Sequence, residues 1–261
     1  MIGFLIKKTL YDLWDNLFKI VILNLGFIGC TAIPIFLPVF GSLFSKSESL
    51  YIILTVLGLF ACSIYLSAVS FVIRAISDYS TFTFRDFFAA FKIAWPSGLV
   101  MGFLLILLYL VITVIIPFYW VMENPLMGLA LSSIVFWLTL FAIISFQFYF
   151  TVYARLGQNL KKAFKKSMLI SMDNTGMSIF LFIHNTLALA LSVICLFLFP
   201  GPVGVLLYLD QAIRLRLLKY DWLEANPDAN RRKIPWDAIL IEERERTGNR
   251  TLKNLIFPWK D

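Results

Sequence analysis

Residues 98–120 read GLVMGFLLILLYLVITVIIPFYW, a run of 23 residues without a single Asp, Glu, Lys or Arg. About 20 apolar residues, at a rise of ~1.5 Å each, cross a hydrocarbon core of about 30 Å. The run therefore predicts a transmembrane helix. The whole chain is 60% hydrophobic and 15% charged, against roughly 45–50% and ~25% in soluble domains. We therefore predict an all-α fold, a polytopic transmembrane helical bundle.

Similar blocks predict six spans, followed by a charged tail at 221–261. The predicted spans cover residues 18–40, 50–73, 98–120, 126–149, 177–199 and 203–218. The sixth span has the weakest pattern because it contains Asp210, Arg214 and Arg216. In the tail, Pro235 to Thr247 is predicted to be helical, with Gly248 ending the helix.

Two stretches between the spans have an amphipathic pattern and are too charged to cross a bilayer. In the first, Thr83–Ile93, four phenylalanines spaced for one helical face predict an interfacial helix that ends at Trp95-Pro96. The second, Gln158–Ser171, has lysines at 161, 162, 165 and 166. The predicted interfacial residues are Phe84, Phe87, Phe88, Phe91, Lys92, Phe164 and Lys165.

The dipeptide Phe-Lys occurs at 18–19, 91–92 and 164–165, in steps of 73 residues. One interpretation is a threefold repeat, in which an amphipathic segment precedes a two-helix hairpin. The other is coincidence in a chain with 26 phenylalanines. The sequence leaves both open.

The distribution of basic residues predicts the orientation. Of the 23 Lys and Arg residues, 22 lie at the N-terminus, in the second-to-third or fourth-to-fifth connection, or from Arg214 onward; the exception is Lys46. Positively charged connections stay on the cytoplasmic side. The distribution therefore predicts that both termini are cytoplasmic. The net charge of +7 is then explained by topology and contact with anionic lipid, and no nucleic-acid partner is expected.

Ionisable residues within a bilayer are candidate functional residues because their burial in hydrocarbon is costly. Asp210 and Arg214 are the clearest, and their i, i+4 spacing allows them to neutralise each other. His184 and Asn185 in the fifth span are further candidates. A structural pair and a contact to substrate or an ion are both open interpretations. Asn24 and Gln147 are expected to form hydrogen bonds between helices.

Sequence signatures of catalysis, such as GxSxG, HExxH or a phosphate-binding loop, do not occur in the chain. Its one histidine and three widely spaced cysteines do not form a metal-ligand pattern. We therefore expect no enzyme activity, no cofactor and no metal. The bilayer is the one partner that the composition predicts.

The stretch Phe84-Arg85-Asp86-Phe87-Phe88-x-x-Phe91-Lys92 resembles the cytoplasmic segment of the YesL-like family of bacterial membrane proteins. Residues 160–165 and the turn Pro200-Gly201-Pro202 fit the same pattern, and the resemblance covers roughly residues 15–220. The tail from Trp222 departs from it. The family is often encoded beside carbohydrate ABC uptake systems. The resemblance therefore implies a helper of sugar import, with ABC transporter subunits as partners, and no catalytic residues.

Two functions remain open at this stage. The first is an accessory or scaffold subunit of a membrane transport system, as the resemblance implies. The second is an autonomous transporter or an ABC-type permease subunit, in which Asp210, Arg214 and His184 line a polar cavity. Sealing these side chains within packed protein would remove the support for the second function.

Overall fold

The computed structural model describes residues 1–44, 48–230 and 234–248. Across these residues the fold is all-helical, as predicted. The helices are α1 (Ile2–Asp15), α2 (Leu17–Phe44), α3 (Glu48–Ser77), α4 (Phe84–Leu110), a π-helical turn (Val111–Ile115), α5 (Ile116–Trp120), α6 (Pro125–Phe146), α7 (Tyr149–Arg155), α8 (Leu160–Asp173), α9 (Thr175–Ser192), α10 (Gly201–Ala225), α11 (Trp236–Ile239) and α12 (Ile241–Thr247). The end of the predicted tail, residues 249–261, lies outside the described residues.

In the part of the chain that the structure describes, four stretches are long and apolar enough to cross a membrane, by length and composition: Ser49–Ser77, Arg85–Trp120, Pro125–Arg155 and Thr175–Ser192. A fifth is added if Ile2–Asp15 and Leu17–Ile33, which meet at an angle of 84°, form one broken span. The predicted number of six is therefore not confirmed. The predicted sixth span lies in α10, which is not among these stretches and which contains Asp210, Arg214 and Arg216.

The predicted helix end at Trp95-Pro96 is wrong, because α4 runs without interruption from Phe84 to Leu110. A proline inside a helix lacks the N–H that would donate to the carbonyl four residues earlier, and its ring crowds that carbonyl, which loosens the preceding turn. Here the Tyr153 hydroxyl donates to the carbonyl of Ile93 at 3.0 Å, and the Ser67 hydroxyl donates to that of Ala94 at 3.0 Å. Hydrogen bonds of this kind from neighbouring helices allow proline within a membrane helix.

Small residues allow α3 and α4 to approach closely. A Cβ on Gly98 would lie 2.4 Å from the Cα of Ile64, and one on Gly102 would lie 2.4 Å from the ring of Phe60. The Ser67 and Ser97 hydroxyls form a hydrogen bond with each other in the same interface. The small residues at 67, 98 and 102 thus lie in a close contact between these helices.

The Phe-Lys dipeptides do not lie at equivalent positions. Phe18-Lys19 comes just after the break between α1 and α2, whereas Phe164-Lys165 lies inside α8, ten residues before the break at Asn174. Phe91-Lys92 lies within the continuous helix α4. The 73-residue spacing therefore does not align the first copy with the other two.

Helix α10 forms the centre of the bundle at one end. Its first fifteen residues are mostly buried, among them Leu207, Ile213 and Leu215. It continues without a break past the predicted tail boundary at residue 220, as far as Ala225. The tail then folds back as α11 and α12, with Leu240 fully buried between them. The predicted helix from Pro235 to Thr247 thus forms as two short helices, and Gly248 follows the second at φ 73°.

Candidate functional site

The most deeply buried charged group in the bundle is Asp210 of α10, whose side chain is fully excluded from solvent. Arg155, the last residue of α7, donates to it twice: Nε to Oδ1 at 2.7 Å and Nη2 to Oδ2 at 2.5 Å. A planar guanidinium matches a carboxylate in this two-point geometry, which is the strongest form of side-chain ion pair. The pair joins α7 to α10.

Asp78, directly after the end of α3, extends the pair into a network. It accepts hydrogen bonds from Arg155 Nη1 at 3.1 Å and from Arg214 Nη1 at 2.6 Å. Arg214 also donates through Nη2 to Glu243 of α12 at 2.5 Å and through Nη1 to the carbonyl of Ser77. Two arginines and three carboxylates therefore connect α3, α7, α10 and the folded tail.

A second branch joins α1 to the same place. Lys8 of α1 is buried and lies 2.9 Å from Asp12, which also accepts a hydrogen bond from Gln211 of α10. The Lys8 ammonium lies 4.1 Å from the centre of the Tyr79 ring, and Arg214 lies 5.5 Å from the same ring. We call the residues of both branches the interhelical network: Lys8, Asp12, Asp78, Tyr79, Arg155, Asp210, Gln211, Arg214 and Glu243.

The predicted pairing of Asp210 with Arg214 is wrong. Both side chains lie in the described part of the chain, and each pairs with partners on other helices. The i, i+4 spacing permits a local pair, but Arg155 offers Asp210 two parallel hydrogen bonds. The contact between Arg214 and Asp78 also places both α10 residues level with the end of α3. The network therefore lies at the charged end of the bundle, where α3 ends and α4 begins, and not midway along the helices.

His184 and Asn185, the other predicted polar candidates, lie outside the network. The His184 ring packs 4.2 Å from the Tyr208 ring, and its Nδ1 is 3.4 Å from Asn185 Oδ1. Asn185 is buried, and within the described chain its Nδ2 has no hydrogen-bond partner. The structure thus brings Asp210 and Arg214 into one network, and it places His184 and Asn185 in a separate contact between α9 and α10.

The predicted interfacial residues have mixed environments. Phe87 and Phe91 pack against Tyr65 of α3, with ring centres 5.9 and 6.3 Å apart, while Phe88 is exposed. A single lipid-facing row of phenylalanines is therefore not present; Phe84 is the first residue of α4. On α8, Phe164 lies 4.7 Å from the Phe146 ring. Lys92 and Lys165 are both exposed.

The hydrogen bonds between helices that were predicted for Gln147 and Asn24 are confirmed. Gln147 donates to the carbonyl of Ser178 at 3.0 Å, which joins the end of α6 to α9. Asn24 of α2 donates to the carbonyl of Pro200 at 2.8 Å and accepts from the N–H of Val203 in α10 at 3.1 Å. Both amides thus form hydrogen bonds between helices.

A second polar cluster lies farther along α10. Tyr220 donates to Asp173 of α8 at 2.7 Å, and Lys219 lies 3.5 Å from the same carboxylate. The hydrogen bond from Tyr220 lowers the pKa of Asp173, and Lys219 acts in the same direction. Burial raises the pKa of Tyr220 to about 12, so this phenol remains a hydrogen-bond donor at neutral pH.

The ion pairs of the network stabilise the packing of the helices that they join. Charged groups that form ion pairs within packed protein fix the relative positions of the helices that carry them. Beside it, an open cleft of about 390 Å³ is lined by Arg74, Asp78 and Asp86, with an apolar wall. Across the described residues, no group of three or more His, Cys, Asp and Glu side chains could hold a metal ion.

Sequence reasoning missed most members of the network. Arg155 is the first charged residue after thirty-one uncharged ones, and Asp78 follows another apolar run closely. Charges of opposite sign at the ends of apolar runs were a usable signal, because the ends of adjacent antiparallel helices lie close together. The roles of Gln211 and Glu243 had no local signal.

Comparison with known proteins gave no match: no family model, curated protein or solved structure is similar to this chain.

Proposed function

We propose that this chain is an accessory or scaffold subunit of a membrane transport system. The observation that carries the proposal is the interhelical network. The side chains predicted to contact a substrate, Asp210 and Arg214, instead form ion pairs with Arg155, Asp78 and Glu243. The network joins α1, the bundle and the folded tail into one rigid end, which suits a docking platform better than a transport path.

The surface of this end fits a soluble or peripheral partner with acidic groups. The four lysines of α8 are exposed, at positions 161, 162, 165 and 166. Asn159 caps the start of the helix by accepting from the backbone N–H of Lys162 at 3.0 Å, so these lysines project from an ordered element. The basic residues of this end also support its placement in the cytoplasm by the positive-inside rule, which puts both termini on the cytoplasmic side of the membrane. The family resemblance implies that this is a bacterial cytoplasmic membrane.

The resemblance of residues 84–92 to YesL-like proteins supports carbohydrate as the cargo of the system and an ABC transporter as the partner. The alternative function is an autonomous transporter or ABC-type permease subunit. It is favoured by the open cleft beside Asp78 and Arg74, which gives charged residues access to water at this end.

The test is affinity purification from native membranes in mild detergent, with the stoichiometry of each co-purifying protein measured. We expect a transporter subunit at about one copy per chain. The double variant Lys161→Gln/Lys162→Gln should lose that partner. The matched variant Arg85→Gln/Lys92→Gln, which removes two exposed positive charges from α4, should keep it.

A homogeneous protein without a stoichiometric partner would contradict the accessory role. A flux assay in vesicles with Asp210→Asn then tests the alternative function, which requires the variant to lose transport. The orientation has a separate test in reporter fusions at residues 1 and 261, both of which should be active in the cytoplasm.

A further inference from the structure

The turn between α9 and α10 lies far from the end of α2 and from the start of α3. We call residues 193–200 the hairpin tip. The Asn24 side chain holds this tip, and Asn24 is the eighth residue of α2. Twenty more residues of α2 follow it, which extend about 30 Å at the helical rise. The tip is therefore close to the beginning of α2 and far from its end.

The position of the tip along α3 leads independently to the same depth for the tip. The Tyr65 hydroxyl donates to the carbonyl of Leu23, next to Asn24, at 2.7 Å. Tyr65 lies seventeen residues after the start of α3 at Glu48, a rise of about 26 Å. The charged end of the bundle gives a third estimate of the depth of the tip. Asp210 lies beside the end of α3, and α10 begins nine residues before Asp210, at Gly201. Those nine residues rise only about 14 Å, roughly half of a 30 Å hydrocarbon core.

The backbone of the tip is irregular, yet its polar groups are paired within the chain. The N–H groups of residues 193 to 198 each donate to a carbonyl between Ala190 and Cys195. Asn24, which is fully buried, donates to the carbonyls of Leu198 and Pro200 and accepts from the N–H of Val203 at 3.1 Å. Ser192 accepts from the N–H of Gly201 at 3.0 Å. Pairing of this kind is required of non-helical backbone at membrane depth, where water is absent.

The side chains of the tip are suited to lipid. Residues 174–209 contain no Asp, Glu, Lys or Arg. Ile194 and Leu196 are 80% and 74% exposed in the isolated chain. By contrast, the turn between α5 and α6 contains Glu123 and Asn124, as expected for a turn in water. The tip has no comparable polar residue.

We infer that the α9–α10 hairpin is re-entrant: it enters the membrane from the charged end, turns near the bilayer centre and returns to the same side. The exposed apolar side chains of its tip contact lipid acyl chains. Helix α9 is long enough to cross a membrane by composition, but its tip is held at the depth of Asn24. The hairpin occupies one leaflet, and this conclusion does not depend on the proposed transport role.

The native Cys195 provides a probe at the tip, and it is exposed. With Cys30→Ala and Cys62→Ala as background, a nitroxide on Cys195 in lipid vesicles reports its depth through collisions with oxygen and with a water-soluble nickel complex. We expect high oxygen and low nickel accessibility, as at the bilayer centre. The reference is Glu123→Cys, combined with Cys195→Ala, in the turn between α5 and α6; its label should collide readily with nickel.

A membrane-impermeant maleimide gives the second measurement. Cys195 should stay unlabelled from both sides, whereas Glu123→Cys should be labelled from the side opposite the charged end. If Cys195 is labelled from that side as fast as Glu123→Cys, the hairpin spans the membrane and the inference is overturned. A nitroxide at Leu196→Cys, in the same background with Cys195→Ala, repeats the depth measurement on a neighbouring exposed side chain.

Discussion

Both carboxylate oxygens of Asp210 accept hydrogen bonds from Arg155, at 2.7 and 2.5 Å, although 55 residues separate the two in sequence. The Arg155 side chain is 8% exposed and that of Asp210 is fully buried. The pair determines how α7 meets α10. It also removes Asp210 from the set of residues that are free to bind a substrate.

Replacement of one partner of this pair should destabilise the fold strongly. Arg155→Met leaves the Asp210 carboxylate buried without a counter-charge, which we expect to lower the free energy of unfolding by about 3–5 kcal/mol. The double variant Arg155→Met/Asp210→Leu removes both charges and should recover most of the loss. Thermal unfolding in detergent measures both effects.

The control for this prediction is Arg244→Met. Arg244 lies 2.7 Å from Asp237, and its side chain is 50% exposed, so solvent screens the pair and the effect should be about 1 kcal/mol or less. An Arg155→Met protein as stable as the unmodified chain would show that the network does not brace the bundle.

The ion pair between Arg214 and Glu243 should hold α12 in place. Glu243→Gln removes the negative charge from a contact of 2.5 Å. Hydrogen bonds to charged groups contribute about 1.5–3 kcal/mol, so release of α12 should become about tenfold more frequent or greater. The measurement is the rate of tryptic cleavage at Arg244 and Arg246, since a helix must unfold before it is cut.

Glu245→Gln is the matched control, because Glu245 is exposed on the same helix and its loss should leave the cleavage rate unchanged. Equal cleavage rates for the two variants would mean that Leu240 and its apolar neighbours hold the tail without the ion pair.

The contact between α3 and α4 should not tolerate a methyl group at residue 98. In Gly98→Ala the new Cβ would lie 2.4 Å from the Cα of Ile64, and a backbone atom cannot move aside without shifting its helix. We expect a loss of about 1–3 kcal/mol from overpacking. Gly29→Ala is the control, because its Cβ would have no neighbour within 4 Å. That variant should gain up to about 1 kcal/mol from helix propensity. Thermal unfolding of the two variants measures the difference, and an equal loss of stability in both would contradict the packing argument.

The Asp173–Tyr220 contact should add to stability above acidic pH. Because the pKa of Asp173 is lowered in the folded protein, its contribution is fully present above the unfolded pKa of about 3.9. It is lost as the pH falls through the lower folded value. Melting temperatures at pH 6 and pH 3 should therefore differ less in Asp173→Asn than in the unmodified chain. Asp228→Asn changes an exposed carboxylate and should leave the difference in melting temperature between pH 6 and pH 3 unchanged. If both variants reduced that difference by the same amount, a specific role for Asp173 would be ruled out.

Local patterns predicted the features that depend on nearby residues or on general composition. Apolar runs identified the long helices. Asn24 and Gln147 were correctly expected to bond between helices, because an amide in apolar surroundings needs a partner. The helix end at Pro96 was wrong because the donors that make this proline acceptable, Ser67 and Tyr153, come from other helices.

The sequence by itself thus determined an all-helical membrane protein, its long apolar helices and the concentration of basic residues on certain connections, since these follow from hydrophobicity and charge. Only the tertiary structure decided that Asp210 pairs with Arg155 and not with Arg214, and that Asn24 holds the tip of the α9–α10 hairpin at mid-depth. The physical reason is that both choices depend on which distant side chain offers the best hydrogen-bond geometry. That geometry exists only after the helices have packed.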